Sequence, residues 1–303
     1  PANAYLVIVG DVNFKEVKKE VEKLFGSWKK ATAPQLTYSD PKDVQYSQIN
    51  FIDTPNAVQS EIALVNLSNL KMTDKEYFAV LLANQVLGGG GEGRLFLNLR
   101  EKHGWTYGAY SSIGSGKYIN KFRSSSSVRN AVTDSAVVEV FNELKRIRTE
   151  LVSEEDLKNA KAKYIGNFVM QIEKPSTIAG YALNKETQGL PEDFYENYIK
   201  NINAVTAEDI KNAANKYFLA DKTRVVIVGK AADVLPGLEA MSKREKLPIF
   251  YFDKYGNPTE KPEVKKPIPA GVTAQSVLNN YINAIGGEKA VKNVKTLAIL
   301  SSG

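Results

Sequence analysis

Cysteine is missing from all 303 residues, and histidine occurs once, as His103. Disulfide frameworks, thiol nucleophiles and cysteine-ligated clusters are therefore excluded. A zinc site built from several Cys or His side chains cannot be assembled from this chain alone. Long apolar runs are missing too: no stretch of about 18 uncharged apolar residues is present, so no membrane span is expected. Blocks of like charge are equally scarce. Forty Lys and Arg face 34 Asp and Glu, and the net +6 is spread over mixed-sign segments such as 15–23. Nucleic-acid binding uses a concentrated basic stripe with interleaved aromatics, so it is not expected. No signal peptide is visible, and Pro1 stands at the edge of what reads as a structural element, so the chain reads as an excised segment. What is present, 43% apolar and 24% charged residues, is an ordinary globular composition long enough for about two domains.

The organisation shows in an internal likeness. Tyr5-Leu-Val-Ile-Val-Gly10 reads as a strand ending in glycine, and Phe14, Val17, Val21, Leu24 and Phe25 then share one helical face. Asn13 and Glu16 have N-cap and N3 spacing, and Gly26 closes the helix. Arg224-Val-Val-Ile-Val-Gly229 repeats the strand, followed by a weaker helix over 231–241, and Gly229 follows Gly10 by 219 residues. A duplicated unit of that period would leave the tail of copy one and nearly all of copy two. Chance likeness between two Val/Ile strands is the alternative.

Between the copies, 31–48 carries prolines without periodicity and reads as a linker. Strands are expected near 49–52 and 61–67, then a helix opened by Thr73-x-x-Glu76 and carrying Tyr77, Val80, Leu81, Asn84 and Leu87. A glycine loop over 88–93 leads to a short helix over 94–102, ended by Gly104. A hairpin of strands 107–113 and 118–128 follows, with Gly114 and Gly116 between them. Helices are expected over 132–150, after Ser153-x-x-Asp156, near Pro175 and Pro191, and after Thr206-x-x-Asp209. Strands at both ends with helices grouped between them predict an α+β fold: a mixed, largely antiparallel sheet covered by helices on one face. The Pro-rich, Lys-rich stretch 242–271 reads as a second linker. Beyond it, a helical stripe over 277–285, stopped by Gly286-Gly287, and a strand over 296–300 read as the front of a further, truncated module.

Gly88-x-Gly90-x-x-Gly93 matches the dinucleotide fingerprint formally, but a helix precedes it where the fingerprint needs a strand. The phosphate-loop reading fails as well, because Arg94 and Leu95 stand where Lys and Ser or Thr are required. Glycine at a tight turn has a structural use instead. His103, alone in a charged turn, reads as a solvated helix-end residue rather than a catalytic base. Arg100 at a helix end and Tyr107 at the next strand start put a five-donor fork and a phenol on one rim. Such a pair could hold a peptide carbonyl and a developing oxyanion. On spacing alone, the plainer expectation, an ordinary surface arginine and a half-buried strand tyrosine, is favoured.

The run Gly93-Arg-Leu-Phe-Leu-Asn-Leu-Arg-Glu-Lys-His-Gly-Trp-Thr-Tyr107 resembles the second-half segment of pitrilysin/insulinase-family zinc metallopeptidases. There an arginine seven residues ahead of a tyrosine forms the substrate-binding pair. The resemblance implies that 1–30 is the tail of the first peptidase half and 49–241 the second, non-zinc half; it does not extend to 272–303, which the sequence pattern reads as the start of another module. It implies a clamshell of two α+β halves, with zinc held by His-x-x-Glu-His and a further Glu in the first half. By the same analogy Arg100 grips a substrate carbonyl and Tyr107 donates to the oxyanion. No zinc motif exists here, so zinc and the zinc-bearing half are expected upstream of Pro1 or on a partner chain, with a peptide as substrate. The competing expectation is a non-catalytic structural or regulatory subunit of the same family. The appended C-terminal module points to a bacterial envelope or periplasmic protein, although a cytoplasmic one is equally free of cysteine.

Overall fold

A computed structural model of the chain describes residues 2–33, 37–42, 44–264, 270–296, 298 and 299. Two compact units emerge, residues 1–262 and 263–303.

Among the described residues, unit one is built on seven strands. The β-branched runs β1 (Gln48–Asp53) and β5 (Arg224–Gly229) pair in parallel at its centre. β2 (Gln59–Ser68) flanks β5 antiparallel, followed by β4 (Asn120–Arg129) and the edge strand β3 (Thr106–Ile113), both antiparallel. On the other side β6 (Ile249–Phe252) runs parallel to β1, and β7 (Pro258–Thr259) closes that edge. The order is β3-β4-β2-β5-β1-β6-β7. Four of the six pairings are antiparallel, which is the mixed, largely antiparallel sheet that the sequence pattern predicts.

Burial alternates strictly along the central strands. In β2, Ser60, Ile62, Leu64, Asn66 and Ser68 are buried while their neighbours are not. A period of two with one buried face is the mark of a sheet covered on one side. The cover is helical. α2 (Tyr77–Gly88) is apolar all round and almost wholly buried, as a central core helix must be. α4 (Thr133–Thr149) adds the stripe Ala136, Val137, Val140, Leu144 and Ile147. α8 (Ala207–Tyr217) and α9 (Ala231–Glu245) complete the layer with Ile210, Ala213, Val234 and Leu238. α5 (Glu154–Ile172), α6 (Pro175–Gln188) and α7 (Tyr198–Ala204) pack outside it and bury little.

Several sequence expectations shift. Residues 5–9 join none of the seven strands, and Tyr5, Leu6 and Ile8 are exposed. A strand exists only with a neighbour to share its backbone hydrogen bonds. The helix after them, α1 (Phe14–Phe25), forms as its N-cap predicts: Asn13 Oδ1 accepts from the Lys15 and Glu16 amides. None of its residues is buried. The Thr73/Glu76 capping box does not form, and α2 starts only at Tyr77, because Asp74 instead accepts from the Lys71 amide in a preceding turn. Turns rather than a helix follow Pro191, and α7 begins at Tyr198. The stretch 242–262, expected as linker, holds the end of α9 and both β6 and β7. Ile249-Phe-Tyr-Phe252 is a strand hidden among prolines, and Pro258 is tolerated because it lies on the edge, where no N–H is needed. Parts of both linker expectations, at 34–36, 43 and 265–269, lie outside the described residues.

Unit two contains α10 (Ala274–Ala284), capped by Thr273 and Ser276, and α11 (Gly287–Asn293). Gly286 and Gly287 both adopt positive φ between them, the stop that the sequence predicts. The strand expected over 296–300 rests partly on Leu297 and Leu300, which lie outside the described residues; Thr296, Ala298 and Ile299 form none.

Candidate substrate-binding site

The segment between α2 and β3 carries both residues singled out above. Gly88 ends α2 hard against the edge strand: a Cβ there would lie 2.6 Å from the Ser111 amide nitrogen. Asn84, one turn earlier, locks the contact by exchanging hydrogen bonds with Ser111, 2.9 Å from its hydroxyl and 3.2 Å from its carbonyl. The glycine loop therefore serves close packing of α2 on β3. It leads into α3 (Arg94–Phe96), which widens at once into a π-helical turn, Leu97–Lys102. Single π-turns are uncommon and concentrate at functional sites.

Arg100 sits in this π-turn, held from below by its neighbours. Leu95 and Leu99 are fully buried. Asn98 is buried between them and donates to two carboxylates of α4, Glu139 and Glu143, at 2.8 Å each. Arg94 is only 8% exposed and reaches Asp156 of α5 at 3.4 Å, while its Nε and Nη1 find no partner among the described residues. The Arg100 side chain itself is half-buried and makes no ion pair among the described residues. After Lys102 the chain folds back sharply. The His103 amide donates to the Asn98 carbonyl, that of Gly104 to Arg100 and that of Trp105 to Leu99, at 3.0–3.1 Å. Gly104 takes φ of +64°, a left-handed turn that favours glycine.

Tyr107 then stands at the start of β3, which packs against the π-turn. Thr106 faces Val128 and Ala109 faces Ser126, so Tyr107 and Gly108 together oppose Ser127 alone: a β-bulge. Thr106 and Ser126 fix it from the buried side. The Thr106 hydroxyl lies 2.9 Å from the Gly108 carbonyl and 3.0 Å from its amide, and the Ser126 hydroxyl lies 3.0 Å from the Thr106 hydroxyl and 2.9 Å from the Gly108 carbonyl. The bulge throws Tyr107 outward, leaving it 87% exposed. The sequence expectation of a half-buried strand tyrosine is thus too modest: an edge bulge displays the phenol. Arg100 and Tyr107 are carried by adjoining ends of one folded-back segment.

His103 differs from its sequence reading. It is half-buried, its ring stacked on Trp105 with centroids 4.0 Å apart and its Nε2 without a hydrogen-bond partner among the described residues. Asn98, Glu143, Thr106 and Ser126 were invisible in the sequence as site residues. Only the placement of Glu143 on the apolar stripe of α4 signalled a buried partner.

The family model that describes the peptidase M16 inactive domain matches residues 1–164, more than half of the chain. The chain belongs to the peptidase M16 inactive-domain family. It is similar to the "Probable inactive metalloprotease YmfF" of Bacillus subtilis, 28% identical over 212 residues, covering 70% of this chain and 48% of that protein. It is equally similar to an "Uncharacterized zinc protease" of Rickettsia bellii, 28% identical over 241 residues, 74% of this chain and 53% of the relative. The crystal structure of a peptidase M16 inactive domain from Pseudomonas fluorescens superposes with a TM-score of 0.66 at 25% identity, over 73% of this chain and 52% of that one. A protease from Helicobacter pylori shares the fold at the same TM-score and 19% identity. The M16 inactive domain described here spans about half the length of these relatives.

Zinc, named in relatives of this inactive domain, asks for several His, Cys, Asp or Glu ligands converging on one point. With one histidine and no cysteine, and with no metal-holding group of three such residues among the described residues, the chain does not fit the ion.

Proposed function

We propose that this M16 inactive domain is the substrate-binding half of a zinc endopeptidase, acting on peptides or unfolded polypeptides together with a zinc-bearing half. The observation that carries the reading is Tyr107 displayed by a locked edge bulge, next to the π-turn that presents Arg100, which has no ion pair among the described residues. An arginine fork suits a peptide carbonyl. A phenolic O–H aimed at the same carbonyl can donate to the oxyanion that forms on attack, a contact stronger in the transition state than in the bound peptide. The zinc-bearing half is an upstream segment or a separate subunit, closing on this one as a clamshell.

The test is reconstitution. Mixing the chain with its zinc-bearing half is expected to restore peptide cleavage that neither part shows alone. Arg100→Ala and Tyr107→Phe are each expected to lower it by at least about tenfold. Unchanged turnover in both variants would end the assignment.

A second reading is favoured by the likeness to the Bacillus subtilis "Probable inactive metalloprotease YmfF". In it the domain keeps the fold as a structural or regulatory subunit. Stable association with a zinc-bearing chain, with turnover indifferent to both variants, supports that reading.

A further inference from the structure

We propose that the open face of the sheet beside Tyr107 selects extended peptides bearing acidic side chains; the proposal deepens, and rests on, the reading of Arg100 and Tyr107 as substrate residues. In β4 the core takes Phe122, Ser124, Ser126 and Val128. Strand alternation therefore puts Lys121, Arg123, Ser125, Ser127 and Arg129 on the face opposite the helices. Three of those five residues are cations, and all three are exposed. None of the three makes an ion pair among the described residues.

The residues directly opposite them do not compensate them. Across the β2–β4 ladder, Lys121 faces Leu67, Arg123 faces Val65 and Arg129 faces Gln59. The carboxylate in that row, Glu61, faces Ser127 and accepts its hydroxyl. On the other side of β4 lies β3, the edge strand with the displayed Tyr107. Arg129 is tied to that end of the site, since its amide donates to the Trp105 carbonyl, two residues before the tyrosine.

Uncompensated cations held on a rigid strand repel one another and are relieved by an anionic partner. Same-face side chains of an extended chain repeat at about 6.6 Å, so a peptide lying along β4 with acids at alternate positions meets Lys121 and Arg123 together. The half-buried Leu67, Val65 and Ala63 on β2 offer the intervening surface to apolar side chains.

The probe is a fluorescein-labelled heptapeptide with glutamate at alternate positions, compared with its glutamine isostere by anisotropy on the 303-residue chain at low salt. The glutamate peptide is expected to bind at least about tenfold tighter, with the ratio shrinking as salt screens it. In K121Q/R123Q/R129Q the ratio collapses toward one. In K158Q/K200Q/K243Q, which removes the same charge from the helices, it persists. Arg100→Ala weakens both peptides by one factor and keeps the ratio. Equal affinities, no binding of the glutamate peptide, a ratio that survives the β4 variant or falls equally in the helix variant, or tighter binding of a single-stranded oligonucleotide overturns the proposal. If the ratio behaves as expected while Arg100→Ala changes neither peptide, the acid-selecting face stands and the Arg100 reading falls.

Discussion

Asn98 holds the π-turn through two short hydrogen bonds to carboxylates, one of them the buried Glu143. Truncation leaves a buried carboxylate without its donor, and hydrogen bonds to charged groups are the expensive ones to lose. Asn98→Ala is expected to cost about 2–3 kcal/mol, read as a lower denaturant midpoint at unchanged slope. A loss below about 0.5 kcal/mol would mean water replaces the amide. Leu99, fully buried beneath Arg100, gives the apolar comparison: Leu99→Ala is expected to cost about 2–5 kcal/mol. At this scale the sequence showed residue types but not partners. Arg100 and Tyr107 were legible through their spacing. Asn98 and Glu143 were not, because 45 residues separate them and no local pattern records a contact across that distance.

The elements that escaped sequence reading are those whose physics departs from a simple period. A π-turn breaks the 3.6-residue repeat, so 94–102 reads as an ordinary helix. A bulge breaks the two-residue repeat, so the exposure of Tyr107 is hidden. The turn between them depends on the left-handed Gly104. Gly104→Ala meets no neighbour within 4 Å, so its cost is conformational, about 1–2 kcal/mol, and it is expected to disturb Arg100 and Tyr107 together. Elements with strong caps were legible to the residue, as where Thr206 and Asp209 form the reciprocal capping box of α8. The outer helices are held by an aromatic cluster: Phe168 stacks on Tyr198 at 4.4 Å, and Tyr181 on Tyr195 at 3.8 Å. Burial pushes the Tyr77 and Tyr164 phenols up to about 12, and Tyr198 is raised for the same reason. A raised phenol is neutral in the folded chain at pH values where the unfolded chain ionises. Its contribution is therefore fully present below about pH 10 and is lost as pH climbs to about 12, by up to about 2–3 kcal/mol per residue. Thermal midpoints are expected to fall steeply above pH 10, and less steeply in Tyr164→Phe. An identical pH profile for that variant would contradict the assignment.

For the molecule as a whole, composition carried a negative statement: one histidine and no cysteine leave no zinc site built from several His or Cys side chains in this chain. Metal analysis after dialysis is expected to find no stoichiometric zinc on the isolated chain, and one tightly held ion per chain would overturn that. The mixed sheet with its helical layer was legible from element order, whereas the extension of the sheet through β6 and β7 was masked by surrounding prolines. The open sheet face, the displayed Tyr107 and Arg100 belong to one half of a peptidase only if the phenol acts on the transition state. That is decided by kcat and KM for Tyr107→Phe in the reconstituted two-part peptidase. A fall in kcat of about 100-fold with KM nearly unchanged is expected; an unchanged kcat would contradict a role for the phenol in the transition state.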